Sequence, residues 1–84
     1  MNVTKEIIEK IELVYREICI AENAYKHDVG GYNGNFEQRR IGVEDVFLAL
    51  GLYTHAGNIR DEVADQIWTR SSYPDGRIKY EQIG

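Results

Sequence analysis

Side chains that could carry catalysis are few in this sequence and stand apart from one another. Cys19 is the single cysteine, so neither an internal disulfide nor a cysteine zinc cluster can form. His27 and His55 lack the spacing of metal ligands. No serine stands in a nucleophile-elbow context, and no glycine-rich phosphate loop opens a helix. The sequence therefore predicts a protein that is not an enzyme and needs no cofactor.

Length and charge narrow the function further. The chain has 84 residues and a formal net charge of −4. This acidic balance argues against a protein that binds nucleic acid by neutralising phosphates, and it favours a basic partner. No apolar run approaches the roughly 20 residues of a membrane span. We expect a small cytoplasmic domain that binds neither nucleic acid nor membrane.

The first quarter of the chain has the period of a helix with one apolar face. Thr4 is a suitable N-cap, and Glu6 lies favourably in the first turn. We therefore expect a helix over residues 5–21. Its apolar stripe comprises Ile7, Ile8, Ile11, Val14, Tyr15 and Ile18.

The segment 22–40 has no apolar period, and it contains three glycines and the turn pair Asn33-Gly34. We predict a long flexible loop here. Two shorter helices follow, one ended by Gly51 and one capped by Asn58. Their apolar faces comprise Val43, Val46, Phe47 and Leu50 in the first helix, and Ile59, Val63, Ile67 and Trp68 in the second.

The end of the chain carries a turn signal, Pro74-Asp75-Gly76, because proline presets one φ angle and glycine accepts a positive one. With the residues that follow, it forms the run Asp75-Gly76-Arg77-Ile78-Lys79-Tyr80-Glu81. This run and the order of the elements resemble the paired EF-hands of a calmodulin lobe or a myosin light chain. In that family a glycine turns the twelve-residue calcium loop.

The resemblance implies an all-α fold, a paired EF-hand-like helix-loop-helix lobe. It also implies a minimal two-residue β-ribbon between Ile41 and Ile78, and a truncated last helix that begins near Lys79. Residues 1–84 would form one domain. Hand 1 would cover about 4–51, with the expanded loop 22–40, and hand 2 would cover about 58–84.

The calcium ligands of the family are largely missing from the second loop. Calcium takes six to eight oxygen ligands, several of them carboxylates. The second loop keeps one carboxylate, Asp75, and adds a positive charge at Lys79. We expect no metal in this vestigial loop. Its ligand positions would be Ser71, Tyr73, Asp75, Arg77, Lys79 and Gln82.

Without calcium, a paired lobe can still hold an amphipathic helix in an apolar groove. The resemblance thus implies a calcium-independent protein-binding module of the myosin light chain or cytoskeletal scaffold type. An acidic module favours a basic amphipathic helix, such as an IQ-type segment. The residues expected to line the groove are Ile11, Tyr15, Phe47, Leu50, Val63, Ile67 and Trp68.

Two alternatives stay open. Small two-hand proteins of the calgranulin type form homodimers through the first and last helices, and the apolar stripe of the first helix here is wide enough for a dimer seam. The other alternative is a degenerate calcium sensor. Sedimentation of the isolated chain would test the first, and a calorimetric calcium signal would be needed for the second.

Overall fold

A computed structural model describes residues 4–84, which form three helices followed by a β-hairpin. The first helix, α1, spans Lys5–Val29. Thr4 caps it, since its Oγ1 accepts a hydrogen bond from the Ile7 amide at 3.3 Å. The helix ends at Gly30, which has a left-handed φ of 71° and donates its N–H to the Lys26 carbonyl. The predicted start of α1 is confirmed, and its end lies eight residues later than predicted.

The second helix, α2, spans Gly34–Ala49 and is capped by Asn33, whose Oδ1 accepts the Asn35 amide at 2.9 Å. The predicted long loop over 22–40 is therefore wrong. Its residues are helical except for the short connection at 30–33. Contacts between α1 and α2 supply the stabilisation that the local pattern lacks. The rings of Tyr25 and Phe36 lie 5.5 Å apart on either side of this connection.

The third helix, α3, spans Tyr53–Ala64. Gly51, in the turn that precedes it, has a positive φ of 72°, so the predicted end of α2 before this glycine is confirmed. The predicted start of α3 is wrong, because Asn58 lies inside the helix and not at its cap. The predicted apolar face is right for Ile59 and Val63, which are buried.

The chain ends in an antiparallel hairpin of β1, Trp68–Ser72, and β2, Ile78–Gln82. The turn is the predicted one, with Gly76 at φ 91° and its N–H bonded to the Tyr73 carbonyl. The expected last helix from Lys79 is wrong, since the tight turn brings 78–82 back alongside β1, where its backbone groups pair across strands. The expected Ile41–Ile78 ribbon is wrong too. Ile41 lies within α2, and Ile78 pairs with Ser72.

The core lies where α1 packs against α2 and α3. Tyr15 and Phe47 are its largest fully buried side chains, and their rings meet edge to face at 5.4 Å. The hairpin joins this core through the half-buried Trp68. The expected mostly helical fold is thus confirmed, with a small two-stranded antiparallel sheet in addition. The buried hydrophobic residues of the core cluster are Tyr15, Cys19, Phe47, Ala56, Ile59 and Val63.

Candidate docking groove between α1 and α2

An apolar depression runs between α1 and α2 and has a volume of about 290 Å³. Three of its side chains remain about half exposed: Ile7 at 48%, Val14 at 50% and Val46 at 46%. Only one lining residue, Lys10, is charged. We call this depression the α1–α2 groove, and its lining residues are Ile7, Lys10, Ile11, Val14, Val43 and Val46.

The groove exists because the apolar stripe of α1 is wider than the surface that α2 and α3 cover. Tyr15, Ile18 and Cys19 face the core and are buried. Ile7 and Val14 belong to the same stripe but lie on its exposed flank. A helix with an apolar surface this wide can contact elements on two sides. One of these sides is left without a cover in the described part of the chain.

The groove continues along α1 toward the hairpin. Beyond Val14 lies a second depression of about 230 Å³, which α1 and α2 form together with Tyr80 of β2. A third, of about 160 Å³, shares Ala21, Phe36 and Tyr80 with the second. At 1.5 Å per residue, the floor from Ile7 to Tyr25 is roughly 27 Å long. This length matches a partner helix of about 18 residues.

The charges along this channel are mixed in sign, with three positive and two negative side chains. Lys10 lies near one end, and Glu17 and Arg39 face the middle. Asp28 and Arg70 lie at the far end. The net negative charge of the chain, −4, is therefore not concentrated along this channel.

A buried polar network holds α1 and α2 at the spacing that creates the groove. The Tyr15 hydroxyl donates to the Glu44 carboxylate. Arg40 donates to Glu44 at 2.8 Å and to Glu22 at 3.2 Å. Arg40 and Glu44 are 6% and 9% exposed, so both charged groups are shielded from water. Each therefore needs the other's opposite charge to offset its loss of hydration.

Burial and the hydrogen bonds of this network shift the pKa values of Tyr15 and Arg40. Burial, together with the hydrogen bond to Glu44, raises the pKa of the Tyr15 phenol far above its usual value. Burial would lower the pKa of Arg40, but its bonds to Glu44 and Glu22 outweigh this and raise it. Burial also raises the pKa of the Cys19 thiol, which makes the reactive thiolate scarcer at neutral pH. These groups serve the packing of the helices.

Asn23 of α1 joins α3 to the hairpin. Its side-chain nitrogen donates to the carbonyls of Val63 and Gln66, at 3.1 and 2.9 Å. Its Oδ1 accepts the amide of Trp68 at 3.0 Å. One side chain thus satisfies the Val63 carbonyl at the end of α3, the Gln66 carbonyl beyond it and the first amide of β1.

Asp28, one turn beyond Asn23, holds the middle of β1. Its carboxylate accepts the Arg70 amide at 2.9 Å and the Thr69 hydroxyl at 2.7 Å. These bonds, with a further one to His27, lower the pKa of Asp28 to about 2. The expected flexible segment 22–40 thus contains the residue that anchors the hairpin.

The seven predicted partner-binding residues do not form one surface. Ile11 lines the groove. Tyr15, Phe47 and Val63 are at most 1% exposed, so they cannot touch a partner while the fold is intact. The other three lie outside the groove lining: Leu50 in the turn after α2, Ile67 beside the C-terminal residue, and Trp68 at the start of β1.

Five groove residues were missed from the predicted set: Ile7, Lys10, Val14, Val43 and Val46. A usable signal was present in the sequence. Ile7 and Val14 belong to the apolar stripe of α1, and Val43 and Val46 to that of α2. Periodicity identifies both stripes, but it does not say which flank of each one the tertiary fold covers.

The positions of the expected vestigial loop lie along the hairpin. Ser71 is in β1, Lys79 and Gln82 are in β2, and Tyr73 flanks the turn. Asp75 is engaged by Arg77, through its amide at 3.0 Å and its Nε at 2.6 Å. Within residues 4–84, no three His, Cys, Asp or Glu side chains come together as metal ligands.

No protein-family model, curated protein or solved structure matches this chain. Among the helices that the structure describes, none is long and apolar enough to cross a bilayer.

Proposed function

We propose that this chain is a calcium-independent protein-binding module that takes an amphipathic helix along α1. The observation that carries this proposal is the apolar α1–α2 groove, which a second, more polar depression extends along α1. The EF-hand resemblance implies the same class of partner. The proposal depends on the groove, however, and not on an arrangement of paired hands.

The lining of the groove supports a helix as the occupant. Exposed valine and isoleucine side chains on two neighbouring helices form a trough into which the apolar ridge of a third helix can pack. Recognition of a helix in such a groove depends on apolar anchors spaced three and four residues apart. A docked helix would cover Ile7, Val14 and Val46 and remove their half-exposed apolar surface from water. This burial favours binding.

The charge of the chain sets the expected polar face of the partner. At a net charge of −4, the module attracts a basic helix over distance and accelerates its association. Once docked, the partner would meet Glu17 and Arg39 near the middle of the channel. The best-matched partner therefore has a net basic polar face with one acidic residue near Arg39.

A labelled 18-residue peptide tests this proposal. Its apolar face would be leucine at helical spacing, and its polar face lysine with one central glutamate. We expect fluorescence anisotropy to show saturable binding, equal in millimolar calcium and in a chelator. Val46→Glu should weaken it at least about tenfold, because one buried charge costs more than 1.4 kcal/mol.

The matched control is Leu48→Glu, which changes a 62% exposed side chain of α2 outside the groove lining. It should leave peptide binding unchanged. A peptide of the same composition with alternating residues should not bind. Equal binding by the two variants, or none by the unmodified chain, would contradict the proposal.

A second candidate, nucleic-acid binding, has one observation in its favour. Helices α2 and α3 are joined by the three-residue turn Leu50–Leu52, which contains Gly51, and a hairpin follows. This order is that of a helix-turn-helix with an added β-hairpin. The exposed polar residues of α3 include Thr54, Asn58 and Arg60.

The charges make this candidate the weaker of the two. The net charge is −4, and two of the hairpin's three cations are paired, Arg77 with Asp75 and Lys79 with Glu81. Within residues 4–84, Arg70 has no ion pair. Phosphate contacts need free lysine or arginine. Anisotropy with labelled duplex DNA at 50 mM salt decides between the candidates. Binding that falls steeply with salt and is lost in Arg60→Glu would favour the second.

A further inference from the structure

The two edges of the hairpin differ. Along β1, side chains of α1 occupy the outer edge: the Trp68 amide donates to Asn23 at 3.0 Å and the Arg70 amide donates to Asp28 at 2.9 Å. These bonds close the β1 edge to any further strand. Within residues 4–84, no side chain forms a hydrogen bond to the edge of β2, although α1 contacts β2 and α2 faces Tyr80 across a depression.

The hydrogen-bond register identifies the groups on the β2 edge. In an antiparallel pair, residues alternate between those that bond across the pair and those whose N–H and C=O point away. The Tyr73 amide bonds to the Arg77 carbonyl and the Ile83 amide to the Ile67 carbonyl, both at 2.8 Å. Counting inward by two from either end, residues 79 and 81 bond to β1. Ile78, Tyr80 and Gln82 therefore direct their backbone groups outward.

The charges on β2 are arranged symmetrically about Tyr80. Lys79 and Glu81 flank it, with opposite signs and on the same face of the strand. If two copies of β2 pair antiparallel with Tyr80 opposite Tyr80, each Lys79 lies opposite the Glu81 of the other copy. Opposite charges in directly facing positions stabilise a strand pair.

Lys79 and Glu81 also disfavour the registers in which one β2 strand is shifted by two residues against the other. A slip of two residues in one direction places Lys79 opposite Lys79, and in the other direction Glu81 opposite Glu81. The first of these registers would also place Glu81 opposite Arg77, but Arg77 lies in the turn outside β2 and is paired with Asp75. Like charges in facing positions destabilise the pair. Charges on an edge strand commonly prevent association. Here their order favours the register centred on Tyr80.

We propose that the β2 edge is an interface for a second copy of this chain, which extends the hairpin into a four-stranded antiparallel sheet, β1–β2–β2–β1. Six backbone hydrogen bonds would form, from Ile78, Tyr80 and Gln82 of each copy. This interface does not include the α1–α2 groove, although it shares Tyr80 with the second and third depressions, and it does not depend on the proposed helix binding. Because five-residue strands bury little area, the dimer is a weak one, populated at about 10 µM to 1 mM.

Charge reversal tests the register. In Lys79→Glu, residues 79 and 81 are both glutamate, and in Glu81→Lys both are lysine, so each variant repels its own copies. We expect sedimentation velocity to show about tenfold weaker dimerisation for each variant alone. In an equimolar mixture, the glutamates of one variant face the lysines of the other, and dimerisation should recover to the unmodified level.

The equimolar mixture also distinguishes the effect of the substitutions on contacts between chains from their effect on contacts within one chain. Lys79 and Glu81 form an ion pair 2.8 Å long within the chain, and both variants lose it. Recovery on mixing therefore reports the contact between chains only. Failure of the mixture to recover, or an unmodified chain that stays monomeric to 1 mM, would overturn the proposal.

Amide hydrogen exchange gives a second, independent readout. Dimerisation should slow exchange at Ile78, Tyr80 and Gln82, whose N–H groups gain partners. Lys79 and Glu81, already bonded to β1, should change little. Val46→Glu is the control, because it blocks the groove and leaves β2 intact. Loss of the dimer in that variant, or no added protection at the three edge amides, would contradict the β2 interface.

Discussion

The Tyr15 hydroxyl on α1 donates a hydrogen bond to the Glu44 carboxylate on α2, inside the apolar core. The same carboxylate accepts from Arg40, so a single acidic group satisfies two buried donors from two helices. This arrangement makes the α1–α2 pairing depend on polar complementarity as well as on apolar contact. Stability should therefore be more sensitive at Glu44 than at any apolar residue on the surface.

Replacement of Glu44 by alanine should lower the free energy of unfolding by about 3–5 kcal/mol, because it leaves the Arg40 charge buried with a weaker partner. Tyr15→Phe removes one hydrogen bond to a charged group and should cost about 1.5–3 kcal/mol. Urea unfolding measures both. If Glu44→Ala costs less than Tyr15→Phe, Arg40 reaches water more easily than its 6% exposure indicates.

Asn23→Ala should loosen the hairpin together with the end of α3. It removes the donor to Val63 and Gln66 and the acceptor for Trp68, a loss of about 2–3 kcal/mol. Asn23→Asp is the informative control, since it keeps the acceptor for the Trp68 amide and loses only the donors. Amide exchange at Trp68 should be fast in the alanine variant and slow in the aspartate variant. Equal exchange rates would refute this role.

The link between Asp28 and β1 should make stability depend on pH at the acidic end. Asp28 has a folded-state pKa of about 2, below its ordinary 3.8, because it accepts the Arg70 amide and the Thr69 hydroxyl. A depressed pKa gives stabilisation that is fully present above pH 4 and is lost as the pH falls through 2. Asp28→Asn should therefore show a smaller drop in Tm between pH 5 and pH 2. Equal decreases in Tm for the unmodified chain and Asp28→Asn over this pH range would contradict this role of Asp28.

Substitutions of a core residue and of a groove residue on the same helix should differ greatly in their effect on stability. Phe47→Ala empties a fully buried site and should cost about 3–5 kcal/mol of unfolding free energy. Val46→Glu changes a 46% exposed side chain and should alter stability by no more than about 0.5 kcal/mol. Urea midpoints compare the two. A large loss for Val46→Glu would mean that the groove is part of the core.

Several local features could be read from the sequence because each depends on a few adjacent residues. Thr4 begins α1, Gly51 follows the end of α2, and Pro74-Asp75-Gly76 turns the chain, all as predicted. The sequence identified the half-exposed groove residues as members of apolar stripes, but it did not show that they stay exposed. Which flank of a stripe stays open is a property of the neighbouring helices.

The tertiary structure alone decided the rest. Residues 22–40 have glycines and no apolar period, yet they are mostly helical because Arg40 pairs with Glu22 and Tyr25 packs on Phe36. The last residues form a strand and not a helix, since β1 supplies partners for their backbone groups. Local sequence sets caps and turns through neighbouring atoms. Partners distant in sequence decide which segments gain enough contacts to stay ordered.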